Sequence, residues 1–214
     1  MENLAEHLEH TYLKTDITDK TVEKLVEEAE KYRFIGLCLP PFWIKKARRE
    51  LSNDTTTQLV TVIGFPLGYQ RTEVKIAETE LALKDGADEI DWVMNLSAFR
   101  TNPHWVKVEF ARAAKLLHAE EKLLKVILET GILSPEEQLQ AAKLALEAGV
   151  DFVKTSTGFA SAGASLETVK RLREYLPERV GIKASGGIRT REEAIAYVEA
   201  GAERIGTSSA TKMI

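Results

Sequence analysis

Three side chains in this sequence have the type and the setting to act on a carbonyl group: Lys154, Lys183 and Asp91, each inside a short apolar stretch. Residues 151–156, 181–185 and 88–94 read as β-strands, in which successive side chains point to opposite faces. With Val153 and Thr155 on one face, Phe152, Lys154 and Ser156 occupy the other; Ile182 and Ala184 likewise put Lys183 opposite them. The same alternation sets Glu89, Asp91 and Val93 against Ile90, Trp92 and Met94, and in 124–129 it gives Lys125, Ile127 and Glu129 a shared face. A buried ammonium without a partner is costly, so interior lysines persist either in a structural ion network or where one gives up its proton to react. A neutral amine attacks a carbonyl to form a Schiff base. A neighbouring cation and exclusion of water supply that neutral form, and a carboxylate such as Asp91 can carry protons through carbinolamine dehydration and at the carbon being deprotonated.

A second constellation suits an anion. Ser185-Gly186-Gly187 follows one of these strands, and Gly206-Thr207-Ser208-Ser209 ends another near the end of the chain. Bare glycine backbone lets several N–H groups converge on a phosphate, and serine hydroxyls add donors; the alternative is a pair of tight turns. Gly64-Phe65-Pro66-Leu67-Gly68 fits an active-site loop or a rigid turn equally well. Cys38, the single cysteine, ends an apolar stretch as a small buried hydrophobe or a site thiol. His7, His10, His104 and His118 show no ligand spacing, so no metal is expected, and no glycine-rich dinucleotide fingerprint follows the first strand.

The elements that must position these residues alternate along the chain. Eight stretches, 8–13, 34–39, 59–64, 88–94, 124–129, 151–156, 181–185 and 203–207, read as strands and recur at roughly 28-residue intervals, the length of a strand, a helix and short connections. Between them lie helix signals. Ser134-Pro135-Glu136-Glu137 offers an N-cap, a proline at the first helical position and a capping-box glutamate, with Leu139, Ala142 and Leu146 as its apolar stripe. Thr190 with Glu193 repeats the box; Ser165 precedes Val169, Leu172 and Leu176, and Thr18 precedes Val22, Leu25 and Ala29. Asp85-Gly86-Ala87-Asp88, Ala148-Gly149-Val150-Asp151 and Ala200-Gly201-Ala202-Glu203 each end a helix with glycine and open a strand with an acid. Strict βα alternation leaves a closed barrel or an open doubly wound sheet, and eight strands favour the barrel. The expectation is one α/β domain over 1–214, a single compact (β/α)8 barrel with its last helix cut short and its catalytic face at the strand C-termini.

Composition bounds the partners. Of 214 residues, 44% are apolar and 29% charged, which excludes disorder, and a net charge of −4 disfavours nucleic acid. The stretch 1–9 carries Glu2, Glu6 and Glu9 and no apolar run, and no segment approaches the length of a membrane span, so neither a leader nor a membrane is expected and the cytoplasm is the expected location.

On these residues the chain resembles the deoxyribose-phosphate aldolase family over nearly its whole length. The matching blocks are HTYLK, TVIGFPLG, EIDWVMN, LKVILETG, DFVKTSTGF, IKASGGIRT and IGTSS, in the family's order, with DFVKTSTGF and IKASGG the most specific. The resemblance implies a class I aldolase without a cofactor, cleaving 2-deoxy-D-ribose 5-phosphate reversibly to D-glyceraldehyde 3-phosphate and acetaldehyde. It implies Lys154 as the Schiff-base residue, Lys183 and Asp91 in activation and proton transfer, and Gly158, Gly186, Gly187, Ser208 and Ser209 as phosphate contacts. Glu9 and Cys38 stand as candidate substrate contacts; Glu9 replaces a usual aspartate and is one methylene longer. Thr15 replaces a usual proline, and Pro40-Pro41 fills a loop that often starts with asparagine. A homodimer or homotetramer is implied. Alternatives on the same scaffold are another Schiff-base sugar-phosphate lyase or transaldolase-like enzyme, and a non-catalytic phosphate-ligand-binding barrel.

Overall fold

The computed structural model describes residues 3–214; Met1 and Glu2, the start of the acidic N-terminal stretch, lie outside them. All eight expected strands are present: β1 (Leu8–Thr11), β2 (Gly36–Leu39), β3 (Gln58–Ile63), β4 (Glu89–Val93), β5 (Leu123–Ile127), β6 (Phe152–Lys154), β7 (Gly181–Ser185) and β8 (Arg204–Thr207). They pair in parallel in chain order, and β8 closes on β1 through Leu8 opposite Ile205 and Glu9 opposite Gly206. Most are shorter than the apolar runs suggest. At the C-terminal ends of β3 and β5 the chain turns left-handed, at Gly64 (φ 66°) and Glu129 (φ 58°), and leaves the ladder to build the catalytic-face loops.

Among the described residues eight helices surround the barrel: α1 (Asp19–Tyr32), α2 (Ile44–Glu50), α3 (Thr72–Lys84), α4 (Leu96–Thr101), α5 (Pro103–Ala119), α6 (Pro135–Glu147), α7 (Leu166–Tyr175) and α8 (Arg191–Glu199). Both α4 and α5 follow β4, while β8 is followed by the 3-10 turn Ala210–Lys212. The expected caps form. The hydroxyls of Thr18, Ser134, Ser165 and Thr190 each accept from the backbone N–H three residues on, and Glu137 and Glu193 complete capping boxes. Such a cap contributes about 1 kcal/mol and sets where each helix begins. The stripe of α6 departs from expectation: its buried residues are Gln138, Ala141, Ala142 and Ala145, with Leu139 and Leu146 only half-buried. Alanine at the contact lets the helix lie close to the strands, and Leu144 and Leu146 pack against the core beside it.

The main apolar core lies between strands and helices, from Leu37, Leu59, Ile90 and Val126 through Val153, Ile182 and Ile205. Inside the barrel a small apolar cluster of Cys38, Val60 and Val62 is packed by Leu13 and Phe65. The rest of the barrel interior holds buried charged side chains, with the apolar Val93 and Ile127 beside them at the ends of β4 and β5. The loop 64–68 is a tight turn, closed by Gly68 N–H donating to Gly64 C=O at 2.7 Å. A Cβ on Gly68 would lie 2.4 Å from the Met94 carbonyl, so only glycine lets the loop rest on the end of β4. A buried pair that the helical pattern hides anchors this region. Lys75 of α3, fully buried, donates to Glu109 of α5 and to the Val93 carbonyl, each at 2.8 Å, while Trp92 Nε1 donates to the same carboxylate.

Beyond β8, Ala210 and Met213 are wholly buried in the main core, and the turn contacts β1. Among the described residues no helix is long and apolar enough to cross a membrane. Met213→Ala is expected to lower unfolding free energy by about 2–5 kcal/mol, the cost of emptying a buried methionine site, read from urea unfolding with an unchanged slope.

Candidate active site

Asp91, on β4 and fully buried, is the hub of the barrel interior. Its Oδ1 accepts from Lys125 Nζ at 3.1 Å, and its Oδ2 accepts from both Lys154 Nζ at 2.8 Å and Lys183 Nζ at 2.6 Å. The register explains the convergence: Asp91 is opposite Lys125 across β4–β5, and Lys154 is opposite Lys183 across β6–β7. Two further carboxylates complete the network. Glu9 of β1 accepts from Lys183 and faces Lys125 Nζ at 3.5 Å; Glu89 of β4 lies 2.5 Å from Lys125 Nζ and accepts from Arg204 at 3.4 Å. Arg204 in turn covers the Phe152 ring at 5.8 Å. Four cationic side chains thus meet three carboxylates, and removing the charge of one lysine would leave the cluster balanced.

Burial and charge compete at each member. For Asp91, burial pushes the carboxyl up, but Lys125, Lys154 and Lys183 outweigh it and hold the group well below the usual carboxylate range. Glu9 is held low against burial by Lys125 and Lys183. Burial alone would lower Lys183; Asp91 and Glu9 overcome it and raise the ammonium above its ordinary value, so Lys183 stays cationic. Lys125 is raised by Asp91, Glu9 and Glu89 in the same way.

Above this network opens a cavity of about 270 Å³ at the C-terminal ends of the strands. Of the seven charged residues in the network only Lys154 lies on its wall. Gly158, Gly186, Gly187 and Ser208 also line it, bringing the expected amine and most of the expected anion donors to one space. Gly186 (φ 94°) and Gly187 (φ 86°) are consecutive left-handed residues. Gly186 is also held against the loop after β6, where Ala164 N–H donates to its carbonyl at 3.1 Å and a Cβ on Gly163 would lie 2.1 Å from that oxygen.

Four expected residues lie elsewhere. Ser209 is half-buried off the wall, its N–H donating to Thr207 Oγ1 at 3.0 Å as the chain enters the final turn. Cys38 sits in the small apolar cluster off the cavity wall, where burial pushes its thiol up to about 11 and it fills space as a protonated hydrophobe. Glu9, at 0% exposure, is drawn down between Lys125 and Lys183 and does not line the cavity. Glu129, grouped by alternation with the interior charges, lies past the end of β5 and accepts from Thr157 N–H at 3.2 Å and from its hydroxyl at 2.5 Å, holding the loop after β6. Two cations on the wall were not singled out from sequence: Lys14, after β1, and Arg189, two residues beyond the glycine pair. A basic residue this close in sequence to the expected phosphate loop is the signal that would have marked Arg189.

The fold and site together define a (β/α)8-barrel enzyme with an amine at its catalytic mouth. The chain belongs to the DeoC/LacD family of aldolases, whose model matches residues 5–212. It is 44% identical over 212 residues to the deoxyribose-phosphate aldolase of Clostridium botulinum, covering 99% of both chains, and 44% identical to that of Thermococcus gammatolerans, covering 99% of this chain and 95% of the other. Among solved structures, the deoxyribose phosphate aldolase of Aeropyrum pernix, described as tetrameric, superposes with a TM-score of 0.91 at 38% identity, covering 98% of this chain and 88% of that one.

Lys125→Met strips three buried carboxylates, Asp91, Glu89 and Glu9, of a shared partner. It is expected to cost about 3–5 kcal/mol in chemical denaturation. Lys107→Met, which breaks the solvated Lys107–Glu147 pair, is expected to leave the unfolding midpoint unchanged.

Proposed function

We propose that this chain is a class I deoxyribose-phosphate aldolase, cleaving 2-deoxy-D-ribose 5-phosphate reversibly to D-glyceraldehyde 3-phosphate and acetaldehyde through a Schiff base on Lys154. The observation that carries the reading is the placement of Lys154: it alone of the ionic network faces the cavity, and it shares one carboxylate oxygen with Lys183. The names of the full-length relatives supply the substrate.

In this reading the Lys154 amine attacks the C1 aldehyde of the open-chain sugar. Lys183 and Asp91 supply and remove the protons as the carbinolamine loses water to become an iminium ion. Loss of the C3 hydroxyl proton then breaks the C2–C3 bond. The electron pair passes into an enamine on C1 and C2, and C3 leaves as the aldehyde of glyceraldehyde 3-phosphate. Protonation of the enamine at C2 and hydrolysis of the iminium by one water release acetaldehyde and restore the amine. Lys183, which shares one Asp91 oxygen with Lys154, is the cationic neighbour of the attacking amine. Gly158, Gly186, Gly187 and Ser208 hold the phosphate, assisted by the charges of Lys14 and Arg189 on the same wall.

A phosphorylated substrate suits the cytoplasm, and assembly into a homodimer or homotetramer belongs to the same reading. Exposed Val74 and Leu81 on α3, and Trp105 and Val108 on α5, support self-association.

Borohydride reduction in the presence of substrate, followed by peptide mapping, is expected to place the adduct on Lys154, and Lys154→Ala to abolish both trapping and turnover. Lys183→Leu is expected to slow turnover by about 10²–10⁴-fold and to move the pH optimum upward. An adduct elsewhere would falsify the mechanism; thermal stabilisation by substrate without trapping or turnover would mark a phosphate-ligand-binding barrel instead. Arg189→Ala should raise KM for the phosphorylated sugar and leave kcat/KM for unphosphorylated 2-deoxyribose near the parent value.

A further inference from the structure

The interior of the barrel contains two carboxylates, Glu9 and Glu89, to which the proposed reaction gives neither a proton transfer nor a substrate contact, and of the two only Glu9 touches Lys183. Glu9 is fully buried and off the cavity wall, yet one of its oxygens accepts from Lys183 and the other faces Lys125 at 3.5 Å. The strands on either side of β1 both present glycine at its level: Gly36 of β2 and Gly206 of β8 are its direct register partners. A Cβ on Gly36 would lie 2.9 Å from Glu9 Cγ, and one on Gly206 would lie 3.1 Å from Lys183 Cε. The first contact is closer than a side chain tolerates without a shift and the second is tight, so both neighbouring strands give up volume where the Glu9 and Lys183 chains cross.

Resting on the aldolase reading above, we propose that Glu9 is a positioning residue of the reaction: in the slot left by Gly36, its carboxylate spans Lys125 and Lys183 and holds Lys183 as a cation against Asp91. The extra methylene relative to aspartate gives the side chain the reach for two lysines at once. Every strand facing this point is accounted for. Besides Glu9 on β1, β2 presents Gly36 and the Cys38 thiol, β3 the apolar Val60 and Val62, and β4 Glu89 and Asp91. The cations come from β5, β6, β7 and β8 as Lys125, Lys154, Lys183 and Arg204. Neutralising Glu9 leaves two carboxylates for those four side chains and leaves Lys183 with Asp91 alone.

Lysine-selective 13Cε labelling of the whole chain, with the Lys183 resonance assigned by its loss in Lys183→Arg, follows Lys183 directly. Lys183 is expected to titrate in Glu9→Gln about one pH unit or more below its position in the parent, the size of effect one adjacent charge produces. In Gly36→Ala, where the new Cβ displaces the Glu9 side chain, the shift has the same sign, and Glu9→Asp, which keeps the charge, shifts less than Glu9→Gln. In cleavage of 2-deoxyribose 5-phosphate, Glu9→Gln is expected to lower kcat by about 10²-fold, as a small misplacement of a reacting group does, with KM near that of the parent and the alkaline limb of the pH profile moved to lower pH. A Lys183 resonance that behaves alike in the parent and in Glu9→Gln overturns the proposal, as does a Glu9→Gln enzyme whose KM rises while its pH limb stays in place, because that marks a substrate contact. If Glu9→Gln does not fold, Gly36→Ala decides by the same criteria. A parent that is neither trapped by borohydride nor able to cleave the sugar phosphate overturns the functional reading instead, and the Lys183 titration still reports the hold of Glu9 on that lysine.

Discussion

One carboxylate oxygen, Oδ2 of Asp91, accepts from two ammonium groups, those of Lys154 and Lys183. Two like charges forced to one point repel unless a counter-charge lies between them, and in a desolvated interior that repulsion is large. Asp91 supplies the counter-charge, and Lys125, Glu9, Glu89 and Arg204 surround it with compensation from other strands. The contributors come from β1, β4, β5, β6, β7 and β8, and they meet because the sheet closes on itself. In an open sheet of the same strands, β1 and β8 would lie at opposite edges and Glu9 would have no route to Lys183. Closure of the barrel and assembly of the network are therefore one event energetically, and either without the other would leave buried charge unpaired.

The interior divides accordingly. Near β2 and β3 it is apolar, built from Cys38, Val60 and Val62; the charged groups gather around β4 to β8, with Val93 and Ile127 buried beside them. The apolar part keeps water from the lysines on that side, which strengthens every interaction in the network. Catalytic-face loops then set what reaches Lys154. Glu129 ties down the loop after β6 through Thr157, Gly186 packs backbone to backbone on that loop, and the Lys75–Glu109 pair fixes the carbonyl at the end of β4. These supports lie outside the cavity but determine the placement of the groups that line it.

Much of the architecture was legible in the order of residues. The eight apolar runs are the eight strands, and the caps at Thr18, Ser134, Ser165 and Thr190 are local chemistry that needs no tertiary partner. Alternation along β6 and β7 turned Lys154 and Lys183 to the same side as Asp91, and the glycine pair with Ser208 reached the same cavity. The stripe of α6 was less legible, because the position of a helix against a sheet depends on the size of the residues at the contact as well as on which residues are apolar.

The sequence by itself determined strand number, helix starts and which residue types occupy the interior, since these follow from periodicity and from hydrogen bonds between near neighbours. The tertiary structure decided the pairings across the barrel. Glu9 differs by one methylene from the residue the resemblance leads one to expect, and nothing near it in the chain says where its carboxylate goes. Its direction comes from Lys125 and Lys183, over a hundred residues away, and from the absent side chains at Gly36 and Gly206 on the flanking strands. Lys75, on a helix, is buried for a similar reason: the Glu109 carboxylate and the Val93 carbonyl that hold it come from α5 and β4. A charge placed in a desolvated interior takes its position from its partners, and those partners are set by the fold.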